Sequence, residues 1–236
     1  MARLGVRVDL VAAIRETKKA KTPDPVAAAV MAEQAGADGI VCHLREDRVH
    51  IKEKDVYLLR EVVKTHFNLL LAPSDEMLKI GVDVLPDMIT FVPEKHVPEG
   101  AGLDVATHYD YLQEAIDILR TQNIVVNIAI EPDVQQVKAA ARLGTDFVEL
   151  QTSWYAHAGD LNAVMDELEK VRAAGLAASK LGLGISASGG LHYQNVVEIA
   201  RIPHIEEINV GHAIISRALM QGMDRAVRDM LQIVRG

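Results

Sequence analysis

Residues 32–47 read AEQAGADGIVCHLRED, and this stretch contains one complete unit of the predicted fold. The end of a helical segment leads through a glycine-containing turn into the apolar run 39–44, and charged residues follow at once. The same order occurs eight times along the chain. Strands that alternate with helices pair in parallel, because a hairpin cannot close a parallel pair. Eight such units in 236 residues predict an α/β protein, a single-domain (β/α)8 TIM barrel spanning residues 1–236, with an open doubly wound sheet as the alternative.

The predicted elements alternate throughout the chain. The strands are 4–10, 39–44, 67–72, 88–93, 124–131, 146–152, 183–187 and 205–210. The helices are 24–35, 53–65, 74–82, 105–122, 133–143, 161–181, 194–201 and 216–234. Charged residues and glycines gather just after the apolar runs. In this fold, that position is the rim where active sites lie.

The composition is that of an ordinary globular protein, with 49% hydrophobic and 25% charged residues. A formal net charge of -8 argues against a general nucleic-acid or membrane surface, so a bound anion needs a local positive site. One cysteine, Cys42, excludes a disulfide framework and a cysteine-rich metal site, and the histidines lack metal-site spacing. We find no signal peptide and no apolar run of about 18 residues, so a cytoplasmic location is expected.

Arg7 and Asp9 stand two residues apart in the first predicted strand and therefore share one face. If Val6, Val8 and Leu10 pack under the helices, both charged side chains face the barrel interior. An unpaired charge would be costly there, so the two side chains are expected to pair. Pairing alone, and pairing combined with substrate contact, are both open.

The densest cluster of reactive side chains is HLREDRVH at 43–50, just past the second predicted strand. The guanidinium of Arg45 can fork onto a phosphate, and His43 or His50 can add a hydrogen bond or move a proton. The alternative is a solvated loop whose charges pair locally.

Glycines follow the last two predicted strands, in SASGGL at 186–191 and in Gly211-His212. They allow backbone N–H groups to approach a phosphate, and these two loops are the usual phosphate position in this fold. For Gly189-Gly190 the alternative is a tight turn.

Two other segments are open to two interpretations. Trp154, Tyr155 and His157 either cover the pocket or pack against the barrel. The basic run 15–21 either reaches a ligand or forms a solvated loop. The last predicted helix carries a broad apolar stripe that is expected to pack largely on the barrel.

Several blocks resemble one known family, pyridoxine 5'-phosphate synthase. They are PDP at 23–25, AEQAGADGI at 32–40, HLREDR at 43–48, VPEK at 92–95, GLDV at 102–105 and NVGHAII at 209–215. The resemblance runs in register from about Leu4 to the last helix.

The resemblance implies a (β/α)8 barrel that assembles as an octamer, in which a neighbouring subunit completes the site. It implies small phosphorylated substrates, 1-deoxy-D-xylulose 5-phosphate and 3-amino-2-oxopropyl phosphate. These condense to pyridoxine 5'-phosphate and release phosphate and water. It implies no organic cofactor and no metal.

Carried over by position, the resemblance makes His43 the general base and Glu149 an acidic residue that stabilises the transition state. It assigns contacts with the sugar phosphate to Arg45, His50 and Asp9. It assigns the aminoketone phosphate to Gly190, Gly211 and His212. Lys18 stands where the family has a phosphate-contacting arginine, and this exchange keeps the charge but loses the bidentate fork.

The chain also departs from the family pattern. Leu70 stands where the resemblance expects a catalytic glutamate, and Gly189 where it expects a proton-donating histidine. Leu10 replaces a substrate-binding histidine, Arg7 replaces an asparagine, and the loop near Glu99 is shorter. Loss of one positioned acid or base typically removes a factor of about 10² to 10⁴ in rate.

Three hypotheses follow. The first is pyridoxine 5'-phosphate synthase with rearranged proton donors. The second is a divergent enzyme acting on a more anionic phosphorylated substrate, because Leu70 and Arg7 together shift the pocket charge by about two units toward binding anions. The third is a catalytically silent phosphate-ligand-binding subunit.

Overall fold

Eight parallel strands close into a barrel in their order along the chain. The protein is represented by a computed structural model that describes residues 1–93 and 100–236. The strands are β1 Arg3–Arg7, β2 Gly39–His43, β3 His66–Leu71, β4 Met88–Phe91, β5 Val125–Ile130, β6 Phe147–Gln151, β7 Gly184–Ser188 and β8 Glu207–Val210. This confirms the predicted TIM barrel and rules out the open sheet, since β1 pairs with β8 as well as with β2.

Helices follow the strands and form the outer layer. Those within the described residues are α1 Asp9–Thr17, α2 Pro25–Gln34, α3 Glu53–Val62, α4 Asp75–Val84, α5 Tyr109–Thr121, α6 Val134–Leu143, α7 Ser153–Ala156, α8 Leu161–Lys180, α9 Val196–Ala200, α10 His212–Gln221 and α11 Met223–Arg235. Within those residues, we find no helix with the length and apolar character that a membrane crossing requires.

The core has two parts because alternate residues of each strand point to opposite faces. The larger part lies between strands and helices and includes Leu4, Val6 and Ile40, all fully buried. A small apolar group inside the barrel consists of Val41, Leu70, Val92 and Ala129. The barrel axis therefore carries an apolar layer close to the ends of the strands.

Polar side chains also lie inside the barrel. Thr90 donates to Asn68 at 2.8 Å, and the Asn127 amide donates to Thr90 and Ser186 at 3.1 Å each. Gly5 makes room for the polar interior, since a β-carbon there would lie 1.9 Å from the Asn209 Oδ1 atom. The interior is thus filled by hydrogen-bonded groups as well as by apolar ones.

The predicted start of the chain was wrong in one respect. The first strand was predicted to extend to residue 10, but β1 ends at Arg7 and α1 begins at Asp9. The Val8 N–H still bonds the Val41 carbonyl, and there the backbone turns into a helix. Asp9 in the first helical turn suits the positive end of the helix dipole.

The predicted last helix, 216–234, is two helices, α10 and α11. They are separated at Gly222, whose φ of 85° lies in the left-handed region that favours glycine. Residues 105–108 of the predicted helix 105–122 form turns and precede α5.

Candidate active site

A cavity of about 1110 Å³ opens where the strands end. Of the ten residues predicted to act in a site, the nine that line it are Arg7, Asp9, His43, Arg45, His50, Glu149, Gly190, Gly211 and His212. Lys18 is exposed just after α1, outside this lining. Residues far apart in the sequence therefore meet at one barrel mouth.

Arg7 and Asp9 form an ion pair at the wall of the cavity. The Arg7 Nε atom lies 2.9 Å from Asp9 Oδ2, and Asp9 Oδ1 accepts the backbone N–H of His43. Burial lowers the pKa of the Arg7 guanidinium, but the nearby Asp9 and Glu149 carboxylates more than offset this and raise it. The predicted pairing is present, and both side chains also remain open to the cavity.

His43 ends β2 and is positioned by the hydrogen bond from its backbone to Asp9. Burial lowers the pKa of its imidazole to about 4, and the positive charges of Arg7 and Arg45 act in the same direction. The Asp9 and Asp47 carboxylates oppose this only partly. At neutral pH, His43 is therefore an uncharged group that can accept a proton.

Arg45 lies on the rim and is already partly neutralised. Its guanidinium forks onto Asp47, with Nε to Oδ1 at 3.1 Å and Nη2 to Oδ2 at 2.8 Å. The local pairing proposed as the alternative for this loop is thus present, although Arg45 also lines the cavity. A phosphate at this position has to share Arg45 with Asp47.

Glu149 lies at the centre of a buried hydrogen-bond network. Its Oε1 accepts from Ser188 Oγ at 2.7 Å and from Gln151 Nε2 at 3.2 Å. Its Oε2 accepts from Asn209 Nδ2 at 2.8 Å. These three donors fix the carboxylate, which is 1% exposed, at the cavity floor. The sequence analysis did not predict Ser188 and Asn209 as partners of Glu149.

The two glycine segments approach the cavity from β7 and β8. Gly189 and Gly190 have φ values of 109° and 67°, and a β-carbon on Gly190 would lie 2.5 Å from that of Ala156. Gly211 precedes α10, and a β-carbon there would lie 3.0 Å from the Arg7 β-carbon. A side chain would therefore clash at Gly190 and would be tightly packed against Arg7 at Gly211. The N-terminus of α10 adds unpaired N–H groups that can bind an anion.

Leu70 and Gly189, the two positions where the resemblance expects an acid and a histidine, both line the cavity. Leu70 is 2% exposed and belongs to the small apolar group inside the barrel. Leu10 lines the same cavity. At these three positions the cavity wall therefore carries no titratable side chain.

In the basic run 15–21 the lysines are exposed, as the solvated-loop interpretation expects, but Arg15 has a role that neither interpretation anticipated. Arg15 is 8% exposed and forks onto Asp55 with two contacts of 2.8 Å. It also donates to the His50 carbonyl at 3.1 Å. Arg15 therefore joins α1 to the rim loop and to α3 instead of meeting a ligand or solvent.

The residues around α7 were considered either to cover the pocket or to pack against the barrel, and the structure shows both. Trp154 is 53% exposed, whereas Tyr155 is buried and its hydroxyl donates to the Asn195 carbonyl at 2.8 Å. His157 lines the cavity, and its Nδ1 lies 2.8 Å from the Ser153 carbonyl oxygen. Glu94 and Lys95 of the VPEK block, and the loop near Glu99, lie outside the described residues.

Comparison with known proteins gives a consistent result. A sequence model of the family described as pyridoxal phosphate biosynthesis protein PdxJ matches residues 4–236. The chain is 49% identical to pyridoxine 5'-phosphate synthase of Geotalea daltonii and 50% identical to that of Geobacter sulfurreducens. Each alignment covers 100% of this chain and 99% of the relative.

Solved structures that resemble this chain are also barrels. A crystal structure of KGPDC from Streptococcus mutans has a TM-score of 0.71 at 14% identity, covering 99% of this chain and 97% of that one. A 3-hexulose-6-phosphate synthase has a TM-score of 0.69 at 15% identity, covering 98% and 99%. At these identities the similarity concerns the fold alone.

Proposed function

The chain belongs to the PdxJ family of pyridoxal phosphate biosynthesis proteins, and from this premise we propose that it is a pyridoxine 5'-phosphate synthase. It condenses 1-deoxy-D-xylulose 5-phosphate with 3-amino-2-oxopropyl phosphate and releases phosphate and water. The observation that supports this most directly is one cavity lined by two groups of residues that can each bind a phosphate, here called its two rims. One rim is built from Arg45 and His50, and the other from Gly190 and Gly211.

His43 serves as the general base in this proposal. Its imidazole is neutral because its pKa lies near 4, so it can take a proton from a substrate carbon or hydroxyl at physiological pH. Glu149 supplies a fixed negative charge at the cavity floor, where it stabilises positive charge that develops on nitrogen. Asp9 orients His43 through its backbone and receives polar groups of the sugar phosphate.

The two phosphates bind on different rims. Arg45 and His50 take the sugar phosphate, and the backbone N–H groups around Gly190, Gly211 and His212 take the aminoketone phosphate. The proposed substrates are anions, and the chain has a net charge of -8, so they need local binding sites of this kind.

We propose that the protein is a homo-oligomer and that Lys18 contributes to a neighbouring subunit's site. Lys18 follows α1 and lies outside the cavity of its own chain. Beside it, an apolar groove between α1 and α10 is lined by Leu10, Ile14 and Leu219. Leu219 and the adjacent Met220 are 68% and 85% exposed, and a second copy would cover them.

A second candidate function follows from Arg7. Among the described residues, its Nε atom bonds Asp9 while neither Nη atom makes a hydrogen bond, so two N–H faces remain open to the cavity. With Leu70 in place of an acid, this favours a divergent enzyme whose substrate carries an additional carboxylate or phosphate. A subunit that binds phosphates without turnover is the third possibility.

The deciding experiment incubates the protein with both proposed substrates and follows pyridoxine 5'-phosphate by absorbance and mass, with phosphate release as a second readout. We expect product from the wild type and a loss of at least about 100-fold in Glu149→Gln, because the fixed charge is removed. Binding of both substrates without product would contradict the proposal. Equal affinity of wild type and Arg7→Ala for anionic analogues would then eliminate the second candidate.

A further inference from the structure

The loop after β7 leaves a small niche above Gly189. A β-carbon at this position would lie 2.5 Å from Ser153 Oγ and 3.2 Å from Gln151 Oε1. Both oxygens thus lie close to the side of Gly189 on which another residue would carry its side chain. Gly189, Gln151 and Ser153 all line the cavity, so the niche opens toward bound substrate.

The amide of Gln151 is held in a single orientation. Its Nε2 donates to Glu149 Oε1 at 3.2 Å and to Ser188 Oγ at 3.3 Å. With the nitrogen directed to these acceptors, the oxygen has to face the opposite way, toward Gly189. Gln151 is 8% exposed, and within the described part of the chain its Oε1 accepts no hydrogen bond.

Ser153 presents a second free oxygen to the same niche. It begins α7 and is 8% exposed, and within residues 1–93 and 100–236 its Oγ makes no hydrogen bond. Gln151 and Ser153 both line the cavity, so these two oxygens are free to bind a polar group of a bound molecule.

From this arrangement we infer that Gln151 and Ser153 bind the primary amine of the phosphorylated substrate whose phosphate lies on the glycine rim. An amide oxygen only accepts hydrogen bonds and a hydroxyl can accept them, so the guest is a donor. The Glu149 carboxylate behind Gln151 favours a cation over a neutral hydroxyl. Gly190, where the phosphate is proposed to bind, is the next residue after Gly189. One short molecule can therefore place its phosphate at Gly190 and its amine beside Gly189.

This inference rests on the proposed function and names its amine subsite. It also assigns a reason to Gly189, since a side chain there would fill the niche and collide with Ser153. Its φ of 109° is a second barrier to any other residue.

The test uses calorimetry on the full chain with two probes, 2-aminoethyl phosphate and ethyl phosphate, which differ in the amine. We expect the wild type to prefer the amine probe by about tenfold or more, the range of hydrogen bonds to a charged group. Ser153→Ala and Gln151→Leu should each reduce that preference at least about threefold and leave ethyl phosphate binding within about twofold. Ser179→Ala, on the outer helix α8, is the matched serine control and should change neither.

Equal binding of both probes by the wild type, or an unchanged preference in both variants, would overturn the inference. Ser153→Ala removes no side-chain hydrogen bond within the described residues, so it keeps the test valid if loss of the Gln151 amide perturbs folding. Turnover separates this inference from the proposed function. Wild-type turnover with the same KM for the aminoketone phosphate in both variants refutes only the amine subsite. Loss of the amine preference in the variants without wild-type turnover refutes only the synthase.

Discussion

At the scale of single residues, the site depends on the separate contacts that the two carboxylate oxygens of Asp9 make. One holds the Arg7 guanidinium and the other holds the backbone N–H of His43. The ion pair keeps positive charge beside an imidazole that is already buried, and both effects favour the neutral ring. A base and a cation can therefore coexist in one cavity.

This arrangement predicts the titration of His43. In an NMR titration of the imidazole, we expect a midpoint near pH 4, well below the ordinary 6.5. Arg7→Gln should raise the midpoint, but not to 6.5, because burial is the larger cause. The folded state resists protonation, so stability falls as the pH is lowered from 6.5 toward 4. The same midpoint in wild type and Arg7→Gln would contradict the assigned charge effect.

Sequence reasoning placed Arg7 and Asp9 together for a reason that was only partly right. Strand alternation was used for both residues, yet Asp9 lies in the first turn of α1. The pair still forms because the helix starts immediately above the strand end. The fork of Arg45 onto Asp47, by contrast, depends on the conformation of one loop, which no periodicity encodes.

At the scale of elements, α1 is the helix that the sequence pattern did not predict. Val6, Val8 and Leu10 alternate with Arg7 and Asp9, which favours a longer strand, and neither glycine nor proline marks the turn at Val8. Tertiary contacts favour the helix, because Arg15 on α1 forms a buried ion pair with Asp55. The buried ion pair thus fixes the helix next to the rim loop.

Removing this ion pair tests its structural role. Arg15→Ala should lower the free energy of unfolding by about 3 kcal/mol, because it leaves Asp55 buried without its cation. Arg201→Ala is the matched control: its pair with Glu198 is exposed, and the expected loss is below about 1 kcal/mol. Urea unfolding followed by circular dichroism measures both. Equal losses in the two variants would show that Arg15 does not anchor α1.

At the scale of the whole molecule, the repeated strand and helix pattern was sufficient to predict the barrel. The barrel interior was not predictable to the same degree. Asn68, Thr90, Asn127 and Ser186 come from four different strands, and only closure of the sheet brings them into one hydrogen-bonded chain. Alternation predicts which face a residue occupies but not which side chain of another strand it contacts, so the bonds of Ser188 and Asn209 to Glu149 were not predicted.

Assembly is the remaining whole-molecule property, and Lys18 makes it testable. If Lys18 serves a neighbouring subunit, each site takes Glu149 from one chain and Lys18 from the other. The substitutions Lys18→Ala and Glu149→Gln then affect different chains of the same site. Each variant alone should lose most turnover. The two variants are then unfolded and refolded as an equal mixture. About half of the subunit pairs that form would contain one chain of each variant, and one of the two sites in such a pair carries neither change. About a quarter of all sites would therefore be intact. Light scattering should report an oligomer before and after mixing. Recovery no greater than the sum of the two separate proteins would place Lys18 in its own chain's site or outside the reaction.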